Sequence, residues 1–500
     1  MRLNCLLFNI LLCILLTWGG LYAAEIRNGS LWLEISLHHS SQVNIRQTGS
    51  ANLTDDSGIY SRDVSSDIDI RISGSPVSHY GIIDRVVTAE LDYSDSDDYS
   101  SRSFFAWEDS TLAIKEEHIY LLDMSFTTEE AATSFARENR IASTMVYNVP
   151  MSGSTLEITD SSGRKLYFES PVRLRANSPL SFDNSGLEYS GEFIIKVIGN
   201  QIQVNHLINL ENYLAGVVQN EIGNGAPLEA LKAQAVAARS HAVSMLLYNR
   251  HKNDGYDLCN GTHCQVYKGE YLQNANILEA VLSTGGEILS YNGRAIDATY
   301  HSACGGKTDS SQLIWRGTPT PYLMGVTCID DAANLDLSRE EDARRWINTS
   351  TNSSGMSSWE RASQTWTRSI RLSTLASNLG LSSISRAEIL ARGQSGRILS
   401  IRFSGSSSKT VSGEYQIRRA FGSLPSSLFF IDGRYSINSN GNAVYELGAN
   451  LRIKGKGSGH GVGMCQVGAL RMSRDGADYR EILSHYYPGT LLRTDWLNYE

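Results

Sequence analysis

The sequence predicts an α+β protein, a mixed helical and β-rich body behind a β-rich N-terminal extension. Three observations carry this reading. Short alternating apolar runs fill the chain up to residue 208, helical spacing takes over abruptly at Leu210–Arg250, and a mixed pattern returns from 366 to 433. At 500 residues the chain is too long for one ordinary core, so about two or three structural units are expected.

Residues 1–24 stand apart. Arg2 precedes an apolar stretch from Leu6 to Trp18, followed by Gly19, Gly20, Ala23 and Ala24, the layout of a secretory signal. The apolar run is shorter than the roughly 20 residues that span a bilayer, and the alternative is an uncleaved N-terminal anchor. Both place the body outside the cytoplasm, with a membrane as partner only through that segment. Residues 25–145 follow as the β-rich extension, with runs such as Ser30-Leu31-Trp32-Leu33-Glu34-Ile35 reading as strands with one buried face. Within it, Thr127 to Arg140 reads as a short helix. Residues 146–495 form the main body. Leu156-Glu157-Ile158 and Lys165-Leu166-Tyr167-Phe168 flank a Ser161-Ser162-Gly163 turn, and Phe193–Val197 and Gln201–Val204 flank Gly199-Asn200. Two helices are expected between Leu210 and Arg250, broken by Gly223-Asn224-Gly225, with Pro227 in the first turn of the second. Leu231, Ala235, Ala238, Ala242 and Met245 give that second helix one buried face. Residues 330–365, polar and Asn-, Ser- and Arg-rich, read as a surface insertion, and Gln394–Arg397 reads as a turn before a strand at Ile398–Ile401.

Composition excludes some partners and selects none. Hydrophobic residues make up 41% and charged residues 19%, ordinary for a globular protein. The formal charge is -9 with no long basic run, so nucleic acid is excluded as a main partner.

The chemistry concentrates near Glu221. On the first helix Leu210, Tyr213, Leu214, Val217 and Val218 form an apolar stripe, and a step of three or four from its last members reaches Glu221. A carboxyl at that position is aimed toward the buried side, and burial raises a carboxyl pKa, as a general acid near neutral pH requires. Fraying of the helix end, with Glu221 simply exposed, is the bland alternative.

These residues carry a resemblance. The stretch from Leu210 to Val218, then Glu221, then Pro227 to Arg239, resembles the SpoIID/LytB family, which includes a lytic transglycosylase of sporulation. Cys264-Gln265-Val266-Tyr267, His301 to Thr308, Gly459 to Ala469, and His485-Tyr486-Tyr487-Pro488-Gly489-Thr490 agree with it in order. The resemblance implies that 146–495 is a SpoIID-like catalytic region and that Glu221 is the catalytic acid. It further implies that Arg239 lies near that acid, as a candidate substrate contact, with Lys232 and Gln234 supporting the helix. The implied reaction is cleavage of the bond between N-acetylmuramic acid and N-acetylglucosamine in denuded peptidoglycan strands. Ordinary glycosidases use two carboxylates. A lytic transglycosylase needs one, because the muramyl C6 hydroxyl displaces the leaving sugar and leaves a 1,6-anhydro product. A cell-wall amidase and other engulfment proteins are the implied partners. The LytB side of the family implies instead a non-enzymatic amidase enhancer, and a peptidoglycan-binding scaffold is the third reading.

His251, Cys259, His263 and Cys264 offer two imidazoles and two thiols, a four-ligand set suited to one structural zinc. Some family members hold zinc in this loop. A Cys259–Cys264 disulfide is the rival in an exported protein. Cys304, Cys328 and Cys465 remain, and Cys304 with either of the others forms a second candidate bridge. The glycine-rich segments around Ser302, Gly305, Gly306 and Thr308, and from Gly459 to Gly468, are read as backbone that approaches a glycan closely. His460 and Gln466 are candidate substrate contacts there, and Trp315, Tyr322 and Tyr487 are candidate sugar platforms. Tight turns in a core are the alternative for each glycine. Lys454-Gly455-Lys456-Gly457-Ser458 lacks the spacing of a phosphate loop.

Overall fold

Strands begin where the sequence alternates. Along Ser30–Ser40 the side chains of Leu31, Leu33 and Ile35 are buried, and Ile158, Phe168 and Phe193 are equally so on the expected hairpins. Those hairpins form as read: Thr155–Asp160 pairs with Lys165–Glu169, and Tyr189–Ile198 pairs with Gln201–Asn209 around Gly199-Asn200. The computed structural model describes residues 25–83, 104–107, 118–126 and 145–496, apart from 48, 56–60, 65–66, 74–77, 151–153, 184, 252, 270–273, 330–331, 333 and 351–354. In strands 78–83, 104–107, 118–126 and 145–150 only the backbone is described. The expected signal at 1–24 and helix at Thr127–Arg140 lie outside the described residues.

The chain divides into two units, and the division is not sequential. A strand-rich unit comprises Leu21–Tyr213 with Asn249–Glu270, and a mixed unit contains Leu214–Tyr248 with Tyr271–Glu500. In the strand-rich unit one sheet of twelve strands takes in segments from both sides of residue 145: Ser30–Ser40 pairs with Gln201–Asn209, and Ile68–Ile72 with Thr155–Asp160. The extension read at 25–145 therefore shares its main sheet with the strands that follow.

The loop 249–270 joins this sheet through Leu258–Cys259, which runs parallel to Ser30–Ser40. A buried polar cluster fastens it. The Glu34 carboxylate accepts from Lys196 Nζ (2.6 Å) and Asn205 Nδ2 (2.7 Å), Asn205 also donates to Gly255 O (2.9 Å), and Gln203 Nε2 donates to Asp254 O (2.8 Å). Glu34, Gln203 and Asn205 are buried, so lifting the loop off would leave the Asn205 and Gln203 donors unpaired in the protein interior.

His206, 1% exposed, lies within the same unit. Its ring stacks on Phe193 at 4.8 Å, Nε2–H donates to Ser190 O (2.9 Å), and Nδ1 accepts from Tyr267 Oη (3.0 Å). Burial pulls its pKa down to about 4. The unfolded chain, with histidines near 6.5, takes up this proton first as pH falls, so stability is present above about 6.5 and is lost toward 4. From pH 7.5 to pH 5 the loss expected from this residue is about 2 kcal/mol. Urea midpoints at the two pH values should fall further for the native chain than for His206→Gln; equal falls would show that His206 is not the group responsible.

Helix α1 (Leu210–Ile222), whose residues from Leu214 on belong to the mixed unit, leads through a short turn to α2 (Leu228–Leu247). Pro227 stands just before α2, one position earlier than expected, and its carbonyl accepts the first helical bond from Leu231 N at 3.0 Å. The expectation of one buried face on α2 is corrected. Ala233, Ala235, Ala237 and Ala238 are all fully buried, on every side of the helix. Small side chains permit this, because helices Ala275–Ser283, Gln466–Arg474 and Tyr479–Tyr486 and strand Ile288–Tyr291 all pack against α2. A second core forms between the sheets built on Ile384–Arg392 and Asn450–Lys456, around Phe403, Phe429 and Tyr445.

The stretch 330–365, expected as a surface insertion, is anchored from inside. Ala332, Leu337 and Trp346 form a buried cluster, and Glu340 is held in an ion pair with Arg392 at 2.6 Å in which both side chains are buried. Most of its other described polar residues are exposed, Glu341 and Arg345 among them, so the stretch is a surface segment anchored by this buried cluster.

Candidate functional site

The stripe of α1 is buried as read, Leu210, Tyr213, Leu214, Val217 and Val218 included. Glu221 is the second-last residue of the helix and is partly buried. The helix ends there because Gly223 takes a φ of +84°, a left-handed turn closed by its N–H on Gln219 O at 3.1 Å. Glu221 thus sits in the last turn of α1.

Arg239 is fully buried on α2. Its guanidinium donates to Glu287 O (3.0 Å) and Val281 O (3.3 Å), the latter in the last turn of helix Ala275–Ser283. Beside it Ser240 Oγ donates to Val236 O (2.6 Å) and accepts from Leu289 N (2.8 Å). Arg239 and Ser240 dock the helix and strand that follow α2, so the contact with substrate expected of Arg239 is corrected to a role inside the core.

The two glycine-rich segments meet each other. Ala303 and Ser458 exchange backbone hydrogen bonds of 3.0 and 2.8 Å, and Val467 N donates to Ser302 O at 3.0 Å. Tyr487, fully buried, ties both: its hydroxyl donates to Thr299 O (2.8 Å) and accepts from Met464 N (3.3 Å). It is a strut rather than the expected platform. Gly305 O accepts from Trp346 Nε1 at 2.5 Å, and a Cβ on Gly306 would lie 2.6 Å from the Trp346 ring. Glycine is needed at 306 because an indole covers it, and the expected approach of Gly305 and Gly306 to a glycan is corrected accordingly.

His460 uses both ring nitrogens within the protein. Nε2–H donates to Tyr300 O (2.9 Å) and Nδ1 accepts from Val462 N (3.1 Å), while burial, with His301 nearby, holds its pKa well below the ordinary range. A neutral ring so engaged has no hydrogen bond left for a ligand. Its face, however, supports Trp315, at 5.2 Å between centroids, and Trp315 is 48% exposed. Of the aromatic candidates Trp315 is therefore the most exposed sugar platform, Tyr322 being only partly exposed and packed on Tyr291. Gln466 is buried and donates to Gln234 Oε1 at 3.3 Å, holding helix Gln466–Arg474 to α2. Ser302 is partly exposed.

The strand-rich unit brings together the other set. One donor atom from each of His251, Cys259, His263 and Cys264 lies within 4.8 Å of all the others. His251 Nε2 is 3.0 Å from Cys264 Sγ, and its Nδ1 meets Asp254 Oδ2 at 2.8 Å, a carboxylate that fixes the tautomer with Nε2 free to ligate. His263 Nδ1 stands 3.8 Å from Cys259 Sγ and 3.7 Å from Cys264 Sγ. All five cysteines of the described residues are free thiols.

Comparison with known proteins identifies the family. Residues 199–291 match the family model described as Stage II sporulation protein, and 309–463 match one described as Domain of unknown function (DUF8618). An uncharacterised protein of Brachyspira hyodysenteriae is 32% identical over 314 residues, 62% of this chain and 73% of that relative. The chain belongs to the SpoIID/LytB family. Other relatives are a protein named Amidase enhancer in Bacillus subtilis, 31% identical over 79% of this chain and 57% of its own length, and one named Stage II sporulation protein D in Bacillus amyloliquefaciens, 28% identical over 56% and 73%.

Sequence reasoning missed one pair in this SpoIID/LytB member. His241 of α2 is buried, and its Nδ1 lies 2.6 Å from Asp297 Oδ1, a carboxylate 41% exposed. The signal was a histidine in an alanine-rich helix, but its acid lies 56 residues away and no local pattern joins them.

Proposed function

We propose that this SpoIID/LytB chain is an exported lytic transglycosylase that cuts the MurNAc–GlcNAc bonds of glycan strands stripped of stem peptides. The observation that carries the reading is the partly buried Glu221 carboxyl at the end of α1, within the segment that matches the Stage II sporulation protein model. A single carboxyl suffices for the chemistry. Protonated, it gives its proton to the leaving glycosidic oxygen as that bond breaks. As carboxylate, it takes the proton from the muramyl C6 hydroxyl as the oxygen bonds to the anomeric carbon and closes the 1,6-anhydro ring. Trp315 offers an exposed aromatic face for a sugar ring. An amidase that removes stem peptides acts before it. The test is mass spectrometry of denuded strands incubated with the full chain: anhydromuramyl ends are expected, and their absence despite strand binding overturns the enzymatic reading.

That outcome would favour the second reading, a non-enzymatic enhancer of an amidase. The relative named Amidase enhancer, which aligns over 79% of this chain, is the observation in its favour.

His251, Cys259, His263 and Cys264 are further proposed to hold one structural zinc, which would cross-link loop 249–270. The donor set fits, with the His251–Asp254 pair in support. Ligation through His263 Nδ1 leaves the proton on Nε2, so Arg250, 3.1 Å from that nitrogen, must turn away on loading. Chelation should therefore raise amide exchange across 249–270; exchange that chelator leaves unchanged, in protein that carries no zinc at these residues, would refute the site.

A further inference from the structure

Three cysteines that the proposed function does not use meet in the core of the mixed unit. Cys304, Cys328 and Cys465 come from three distant parts of the chain, are 2%, 4% and 2% exposed, and place their sulfurs within 4.8 Å of one another. In a tetrahedral zinc site, with Zn–S near 2.3 Å, neighbouring sulfurs stand about 3.8 Å apart, so little movement separates this arrangement from a ligating one.

The surroundings suit thiolates. Cys465 Sγ accepts from Cys304 N (3.1 Å) and from Gly468 N (3.3 Å), the second at the N-terminus of helix Gln466–Arg474. Cys304 Sγ accepts from Gly306 N (3.3 Å), and Cys328 Sγ meets Tyr486 Oη at 3.4 Å. The Arg471 guanidinium donates to Cys328 O, bringing a positive charge beside the cluster. Backbone N–H groups, a helix N-terminus and a cation all stabilise negative sulfur.

A histidine flanks the cluster on the neighbouring strand. His301 is 4% exposed and pairs with Cys465 across parallel strands Tyr300–His301 and Met464–Cys465, which puts both side chains on one side of the ladder. Its Nδ1 lies 3.1 Å from Val462 O, so Nδ1 carries the proton and Nε2 keeps its lone pair; that buried Nε2 has no hydrogen-bond partner. Ligating histidines are typically held this way, with the far nitrogen on a carbonyl.

We propose that Cys304, Cys328 and Cys465, with His301 Nε2, form a second metal site for a zinc-class cation, separate from the His251–Cys264 set. On binding, three thiols release their protons to solvent, three metal–sulfur bonds and one metal–nitrogen bond form, and nothing is oxidised. The ion would lock segments 301–308, 326–328 and 462–468 together. A disulfide between any two of these cysteines would instead strand the third in a buried site.

The experiment counts zinc in the full chain purified without chelator, native and Cys328→Ser, together with alkylation and peptide mass spectrometry of the native protein. About one ion fewer per chain in the variant is expected, with no disulfide. Equal zinc in both proteins, or a disulfide among the three, overturns the proposal. Because the variant can fail to fold, the native chain is also loaded with cobalt(II). Thiolate-to-cobalt absorption accounting for all five cysteines supports the second site, and absorption accounting for Cys259 and Cys264 alone refutes it while leaving the first site standing. Zinc lost from Cys259→Ser/Cys264→Ser but retained by Cys328→Ser would likewise isolate a failure to this site.

Discussion

Glu221→Gln is expected to slow release of anhydromuramyl fragments from denuded strands by about 10²- to 10⁴-fold, the range a positioned acid contributes. At 25 °C that is about 3 to 5.5 kcal/mol of barrier. Folding should not suffer. Glutamine keeps the size of the side chain and its capacity to hydrogen-bond, and loss of a negative charge at the C-terminal pole of α1 is favourable by about 0.3–1 kcal/mol, so the urea midpoint is expected to change little. The two measurements together are diagnostic: product release by mass spectrometry, and the urea midpoint. Activity lost at an unchanged midpoint assigns Glu221 to the chemistry. If the variant releases fragments as fast as the native chain, Glu221 is not the acid. If neither releases any, yet both stimulate an amidase equally, the enhancer reading replaces it.

The way the sequence did and did not disclose these features follows from what local patterns encode. Alternation reports which face of a strand is buried, so Ser30–Ser40 and the hairpins at 155–169 and 189–209 were legible. Gly223 and Pro227 mark a break between helices by their own backbone chemistry, and the two helices appear on either side of it. Periodicity does not report partners. Nothing local says that Leu258–Cys259 will join Ser30–Ser40, or that Trp346 will lie on Gly306 and turn a suspected ligand-binding glycine into a covered one. Polar composition at 330–365 did not disclose its buried anchor, where Glu340 and Arg392 satisfy each other inside the protein, with Tyr445 Oη donating to the same carboxylate. The four residues of the zinc-type set were visible because they fall within 14 positions. The three buried thiols were countable but not assignable, since Cys304 and Cys465 are 161 residues apart and only the tertiary fold brings them together.

Arg239 shows how a residue can belong to a motif without touching a substrate. Arg239→Met is expected to destabilise the mixed unit by about 2–5 kcal/mol, because it strips the carbonyls of Glu287 and Val281 of buried donors at about 1–3 kcal/mol each. Lysine should rescue only in part. Its single ammonium cannot reproduce the planar fork that reaches two carbonyls at once, and burying it without full satisfaction is itself costly. Activity of both variants should then decline with the folded fraction, and activity per folded molecule, measured well below the thermal transition, should stay close to native. This pattern is opposite to the one expected for Glu221→Gln. An Arg239→Met protein with a native unfolding midpoint and weakened binding to glycan strands would instead place the guanidinium on the substrate, and the carbonyl contacts would then be incidental. The two substitutions therefore divide this part of the motif physically: the partly exposed carboxyl at the end of α1 for chemistry, and the buried guanidinium on α2 for holding the scaffold that presents it.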